Sequence, residues 1–274
     1  VLVQTGTVVH AKQARERIVS LGGDATEILY DLGLDDQIVA VDTTSLSPPR
    51  ALKEKASVGY LRQLSAEGVL STGATTIVAS DQAGPPEVVN ALKAANLKVV
   101  TLPGNASPGN IAEKVRVIGK VFAREAQAEV LAKRIEDGFR HVAELRAHIG
   151  TPARAIFILG VRNGRAMVGG AATTADTMLK LAGAVNAAAN INGYKPLTDE
   201  ALIALAPDAV VTMRRDGATD NKNLIGALSG YRETPAGKAG RLIEMDAHYL
   251  LGFGPRTPEA ARELLTRLYP DTAK

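Results

Sequence analysis

Short apolar runs recur along this sequence and alternate with stretches whose apolar residues have helical spacing. In the first half these runs lie at residues 17–21, 37–41, 76–79 and 98–102, and in the second half at residues 155–159, 209–213 and 241–245. Strands that are apolar at nearly every position are typical of parallel sheets covered by helices on both faces. The pattern therefore predicts an α/β protein with central parallel sheets. Among its helices we predict one after residues 17–21 with Asp24 as its cap, one at residues 174–181 ended by Gly183, and a closing helix at about residues 257–268 that follows a loop through Gly252.

A long stretch without helix breakers divides the chain in two. Between about Arg124 and His148 the sequence contains no Pro and a single Gly, Gly138, among many charged residues. At 1.5 Å per residue such a helix spans roughly 35 Å, about the width of a small domain. We predict an N-terminal lobe at residues 1–123, a connecting helix at 124–149 and a C-terminal lobe at 150–274. Residues 1–13 are interpreted as a leading strand or arm with no assigned function.

A short internal repeat supports two similar lobes. The segment from Leu64 to Glu67 aligns with the segment from Leu197 to Glu200 at an offset of 133 residues (197 − 64 and 200 − 67). In each copy a hydroxyl residue precedes a Glu by two positions, and a short helix and an apolar strand follow. Each lobe is thus expected to present one Glu at a helix start. The alternative is that each Glu only stabilises its helix dipole, by less than about 1 kcal/mol.

The composition argues against several functions. The chain has no Cys, which excludes disulfides and thiolate metal sites. It has no Trp, aromatic residues make up 4%, and the net charge of +3 comes from scattered residues without a basic run. Nucleic-acid binding is therefore not expected. No apolar run approaches the roughly 18 residues of a membrane span.

The motifs of common enzymes are absent from the sequence. There is no Gly-x-Ser-x-Gly segment, no Walker A segment and no dinucleotide-type glycine spacing. The histidines do not have the spacing of zinc ligands; they are His10, His141, His148 and His248. An enzyme is not predicted, and an α/β enzyme with an unrecognised site remains the alternative from another functional class.

The segment from Ser57 to Glu67 is the strongest candidate for a binding site. It places Tyr60 after a glycine on a short loop and Arg62 two residues later, with Ser65 as the expected N-cap of a following helix. A phenolate is a hard ligand for ferric iron and is one of the axial ligands found in haem proteins. A neighbouring guanidinium favours the deprotonated phenol or pairs with a carboxylate such as a haem propionate. The alternative is a loop tyrosine that covers the edge of a core, with Arg62 solvated.

These residues and several other segments carry a resemblance to a known family. The chain resembles the periplasmic haem-binding proteins of bacterial haem ABC importers, within the larger group that carries cobalamin and ferric siderophores. The most specific segments are residues 59–62 with 64–67, and residues 250–256; segments general to the group are residues 17–20, 26–29 and 206–211. The resemblance covers nearly the whole chain.

The resemblance implies a fold and a ligand site. The fold is that of a class III periplasmic binding protein, with two Rossmann-like lobes joined by one long interdomain helix and the ligand in the cleft between them. Tyr60 would be the axial ligand of ferric haem, and Arg62 would contact the phenolate or a propionate. In the C-terminal lobe Arg214 or Arg215 would face the cleft, with a slight preference for Arg215.

The resemblance also implies partners and a location. Glu67 and Glu200 match the pair that similar proteins present to arginines of a membrane permease, one from each lobe. The protein is then expected to be a periplasmic monomer whose signal peptide has been removed, working with the permease of a haem importer and downstream of an outer-membrane haem receptor. An apolar, largely preformed slot would hold the haem, and the permease would release it by pulling the lobes apart.

One loop departs from the family pattern. Some relatives bind a second haem through a His after the first strand of the C-terminal lobe, whereas residues 160–167 contain no His here. This argues against a second haem, although Arg162 or Arg165 is a candidate to pair with propionates. His248 is expected to be structural. The alternative ligand on the same fold is cobalamin or a ferric siderophore, for which Tyr60 would be incidental.

Overall fold

The N-terminal lobe is built on a parallel sheet. The computed structural model describes residues 16–104, 106–215 and 220–271. Five strands in the order β3-β2-β1-β4-β5 form the first sheet, and every neighbouring pair is parallel. The elements of this lobe are β1 (Ile18–Leu21), α1 (Gly23–Asp31), β2 (Ile38–Val41), α2 (Arg50–Glu54), β3 (Ala56–Ser57), α3 (Ala66–Leu70), β4 (Thr76–Ala79), α4 (Pro86–Ala94), β5 (Lys98–Thr101) and α5 (Pro108–Val121).

The C-terminal lobe repeats this plan with an added hairpin. Its sheet has the order β11-β10-β6-β7-β9, with β8 beside β6, and β7 runs antiparallel to both of its neighbours. The elements are β6 (Arg154–Arg162), β7 (Arg165–Gly169), α7 (Thr174–Leu181), β8 (Val185–Asn186), β9 (Tyr194–Leu197), α8 (Asp199–Leu205), β10 (Ala209–Arg214), α9 (Asn221–Ala227), α10 (Ser229–Glu233), α11 (Pro235–Lys238), β11 (Leu242–Asp246), α12 (Ala247–Leu251) and α13 (Thr257–Leu268).

A single long helix, α6 (Glu125–Ala147), joins the two lobes. Its buried residues fall on one face of the helix and form one apolar stripe: Ala128, Leu131, Ala132, Ile135 and Val142. This stripe belongs to a core cluster that also contains Ile18 and Ile28 of the first lobe and Phe157 and Leu264 of the second. The two lobes therefore share one continuous core through α6.

The predicted fold class is confirmed: two α/β lobes with central parallel sheets flank one long helix. The helices predicted at residues 174–181 and 257–268 have these bounds in the structure. The boundaries assigned at residues 123 and 149 stay a prediction, and the arm at residues 1–13 lies outside the described residues.

Several elements differ from the sequence-based expectation. Asp24 was expected to cap α1, but the helix begins at Gly23 and its N-cap is Gly22, whose φ of 124° favours glycine. Asp24 is instead a buried residue of the first turn. The segment before Gly252 was expected to be a loop, whereas Asp246 caps the short helix α12 directly after β11. The sequence pattern does not predict four further short elements: strands β8 and β9 and helices α10 and α11.

Candidate functional site

A cleft of ≈ 570 Å³ lies between the two lobes. On the N-terminal side it is lined by residues that follow the carboxyl ends of β1, β2, β3 and β4. On the C-terminal side it is lined by residues at the ends of β10 and β11. The carboxyl edge of a parallel sheet is where α/β proteins bind ligands, and the volume is that of a pocket for a drug-sized molecule.

The loop after β3 presents Tyr60 to this cleft. Leu61 and Leu64 are buried and anchor the loop in the first lobe, and reciprocal backbone hydrogen bonds join it to Gly84. Gly59 has a φ of 83°, which turns the chain just before the tyrosine. Tyr60 itself remains 40% exposed. The fold thus buries the leucines of this segment and leaves its phenol available to a ligand.

Two of the predicted arginines line the same cleft as Tyr60. Arg62 comes from the Tyr60 loop and donates a hydrogen bond to the side-chain oxygen of Gln82. Arg215 follows β10 and approaches from the opposite lobe. Arg214, the last residue of β10, is exposed and is not among the residues that line the cleft. The geometry therefore favours Arg215 over Arg214 as the cation on the C-terminal side.

Arg162 and Arg165 lie elsewhere. They face each other across the tip of the β6–β7 hairpin, where Asn163 and Gly164 form the turn with positive φ angles. Both arginines are exposed, and neither belongs to the lining of the cleft. The structure does not bring them together with Tyr60.

The floor of the cleft is more polar than expected. Nζ of Lys114 lies 2.6 Å from Oδ2 of Asp24, and both side chains are buried where α5 meets the start of α1. Ser80 and Asp81 add polar groups beside this ion pair, whereas Phe253 is one of the apolar residues supplied by the C-terminal lobe. The cleft therefore offers buried charge and hydrogen bonds as well as apolar contact, and it is more polar than the apolar slot with flanking arginines expected from the resemblance.

Glu27 of α1 joins the two lobes beside the cleft. Its Oε1 accepts a hydrogen bond of 2.8 Å from Nε of Arg256, and its Oε2 lies 3.5 Å from Nε2 of His248. Burial alone would raise the pKa of this carboxyl group, but the hydrogen bonds from His248 and Arg256 and their charges hold the pKa below its ordinary value. His248 also lines the cleft, so this cluster connects the interlobe contact to the ligand site.

Close packing around His248 fixes its position. A Cβ added at Gly23 would lie 2.2 Å from Cε1 of the ring, and one added at Gly252 would lie 2.9 Å from the same atom. The imidazole is thus held between two glycines of opposite lobes and beside Glu27. This arrangement agrees with a structural role for His248.

Glu67 and Glu200 lie away from the cleft, each in the first turn of a short helix. Both are exposed. The backbone N–H of Glu200 and the hydroxyl of Thr198 hydrogen-bond its carboxylate and lower its pKa. Both side chains are therefore open to a partner.

The Tyr60 loop can be recognised from the sequence, whereas the ion pairs Asp24–Lys114 and Glu27–Arg256 cannot. The motifs containing Glu27 and Arg256 were noticed, but their contact was not, because 229 residues separate them. None of the helices among the described residues combines the length and the apolar composition of a membrane span, and no three His, Asp or Glu side chains there are grouped to hold a metal ion.

Two proteins with different descriptions are similar to this chain over nearly its whole length. The chain is 30% identical to YvrC of Bacillus subtilis, an uncharacterized ABC transporter substrate-binding lipoprotein, over 97% of this chain and 84% of that protein. It is 22% identical to a cobalamin-binding protein of Halobacterium salinarum, over 98% of this chain and 73% of that protein.

Solved structures are similar over nearly the whole fold. The periplasmic haem-binding protein RhuT from Roseiflexus sp. RS-1, in its apo form, superposes with a TM-score of 0.87 and 34% identity, covering 94% of this chain and 99% of RhuT. The periplasmic haem-binding protein BhuT, in complex with two haems, gives a TM-score of 0.86 and 34% identity, covering 92% of this chain and 97% of BhuT.

The family assignment rests on most of the sequence. Residues 18–249 match the family described as periplasmic binding protein, a range that includes both sheets and α6. The chain therefore belongs to the periplasmic binding protein family.

Proposed function

We propose that this protein captures ferric haem in the interlobe cleft, with the Tyr60 phenolate as the axial ligand of the iron. The observation that carries the proposal is the exposed phenol of Tyr60 in the same cleft as Arg62 and Arg215. A phenolate suits ferric iron, and the two arginines suit the two propionates of haem. The likeness to RhuT and BhuT supports the same ligand.

The carrier would deliver its haem to the membrane permease of an ABC importer. Glu67 and Glu200, one from each lobe, would pair with arginines of that permease. The protein would act in the periplasm as a monomer, after haem has crossed the outer membrane through a receptor. Uptake that survives charge reversal at both glutamates would contradict this role.

The ligand is tested by titrating haemin into the parent, Tyr60→Phe and Tyr249→Phe while following absorbance. We expect a saturable high-spin ferric spectrum with a phenolate charge-transfer band in the parent. Tyr60→Phe should lose that band, whereas Tyr249→Phe should keep it because Tyr249 does not line the cleft. The end point is expected at one haem per chain, since the 160–167 loop has no His for a second one. No saturable change in the parent would contradict the haem assignment.

Cobalamin is the second candidate. The relative from Halobacterium salinarum carries that name, and the polar floor formed by Asp24, Ser80, Asp81 and Gln82 suits the amide groups around a corrin ring. In this case, or with a ferric siderophore, Tyr60→Phe should leave binding unchanged. Calorimetric titration with cyanocobalamin separates this candidate from haem: a saturable heat with cyanocobalamin, and none with haemin, would select it.

A further inference from the structure

The internal repeat extends beyond the segment that first revealed it. Helices α3 and α8 each precede a central strand, β4 and β10, and both strands begin at the same offset of 133 residues (209 − 76). The hydroxyls of Ser65 and Thr198 cap the two helices in the same way, each accepting a backbone N–H three residues later at 3.3 Å. The two helices therefore hold equivalent positions in the two lobes.

The pattern of buried and exposed side chains is also the same in the two copies of the repeat. Val69 and the equivalent Leu202 are buried beneath their helices, but the next residue in each copy, Leu70 or Ile203, is exposed. Leu70 is 43% exposed and Ile203 is 40% exposed. Seven large apolar or aromatic side chains are exposed in the described part of the chain, and two of these seven occupy the same position of the repeat.

Each of these aliphatic side chains lies one helical turn after an exposed glutamate. Leu70 follows Glu67 by three residues, and Ile203 follows Glu200 by three. Side chains three residues apart lie on one face of a helix. Each lobe thus presents the same pair, a carboxylate beside an aliphatic group.

The pair is better suited to docking than the carboxylate alone. An exposed ion pair contributes little in water, because solvent and salt screen it. An apolar contact beside it excludes water from the ion pair and adds burial of its own. This gives a physical reason for leaving an aliphatic residue in solvent twice at matching positions.

We propose that Leu70 and Ile203, together with Glu67 and Glu200, form two equivalent docking points for one membrane permease. Such a permease would present the same feature twice, a basic side chain beside an apolar depression, as a two-fold symmetric dimer does. The basic group on the permease is needed to pair with the carboxylates. Because the pair of side chains occurs twice on this protein, the permease must present two copies of that basic group. The inference rests on the proposed delivery of ligand to a permease and specifies the surface used.

The test measures binding of the ligand-free protein to a purified haem-importer permease in nanodiscs. Leu70→Gln and Ile203→Gln should each weaken binding about fivefold, and the double variant should combine the two effects. Val130→Gln and Leu224→Gln are matched controls at exposed positions outside the repeat and should bind like the parent. Circular dichroism should show unchanged folding for all four single variants.

Each outcome decides a separate point. Equal binding by the parent and the double variant would overturn the aliphatic docking points while leaving the glutamate pairs in place. Weakening by only one of the two single variants would overturn their equivalence. A parent that does not bind the permease would overturn delivery itself, whereas haemin titration of the same proteins tests the ligand independently.

Discussion

Glu27 is the residue at which the two lobes are joined by charge. Only 7% of its side chain is exposed, and Arg256 and His248 face it from the C-terminal lobe. Asp24 and Asp31 lie near it on α1, and the ring of Tyr249 packs against Arg256 at 5.4 Å. A buried carboxylate is stable only while these partners remain in place. The contact therefore ties the relative position of the lobes to one ionised side chain.

Replacing this carboxylate should lower stability in a pH-dependent way. Glu27→Gln is expected to reduce the free energy of unfolding by about 2 kcal/mol at pH 7, because it removes charged hydrogen bonds. The pKa of Glu27 is below its ordinary value of 4.5 in the folded protein, so its contribution is complete above that value. The contribution is lost as the pH falls through the lower folded-state pKa, and the parent and the variant should then converge. Urea unfolding at pH 7 and at decreasing acidic pH measures this.

Glu263→Gln is the matched control for this experiment. Glu263 pairs with Arg267 on the surface of α13, where both side chains are well exposed. Its removal should change the free energy of unfolding by less than about 0.5 kcal/mol at pH 7. An equal decrease in the free energy of unfolding of Glu27→Gln and Glu263→Gln would show that the interlobe contact stabilises the protein no more than a surface ion pair does.

At the level of elements, the sequence predicts best where local signals are strong. The range of helix α7 and the glycine just beyond its end, Gly183, are predicted correctly, and Ser65 caps α3 as expected. Strand β9 was missed because its residues, from Tyr194 to Leu197, show neither an apolar run nor a clear alternation. The Tyr60 loop was recognised because its residues are neighbours in sequence. The Glu27 contact depends on how two distant segments fold together, which one sequence does not reveal.

The glycine in the middle of α6 illustrates packing that overrides helix propensity. Gly138 destabilises a helix relative to Ala by about 1 kcal/mol in isolation. In the structure, a Cβ at this position would lie 2.7 Å from Cβ of Pro258, the second residue of α13. Because Gly138 has no side chain, α13 can pack closely against α6 at this point.

Gly138→Ala should therefore destabilise the protein despite its better propensity. We expect a loss of about 1–3 kcal/mol, because the added methyl group overpacks the contact between α6 and α13. Gly226→Ala in α9 is the control, since nothing lies within 4 Å of a Cβ there, and it should be neutral or slightly stabilising. Thermal or urea unfolding compares the two. A Gly138→Ala protein as stable as Gly226→Ala would contradict the packing argument.

At the level of the whole molecule, three features oppose a large hinge motion. The core cluster runs without interruption from the first sheet through α6 to the second. The Glu27 cluster ties the lobes together beside the cleft. A further ion pair, between Asp31 of α1 and Arg134 of α6 at 3.5 Å, attaches the first lobe to the connecting helix. We therefore expect the cleft to be a preformed slot whose walls keep a nearly fixed separation.

This rigidity is measurable by small-angle X-ray scattering with and without bound ligand. A compact chain of 274 residues has a radius of gyration of about 19 Å. We expect haemin to change the measured value by less than about 1 Å, as in complexes whose partners are preorganised. Glu27→Gln should allow wider excursions of the lobes, and its ligand-free radius should exceed that of the parent and return toward it on binding. A parent that contracts by several ångströms on binding would show that α6 acts as a hinge and that the interlobe ion pairs form only in the closed state.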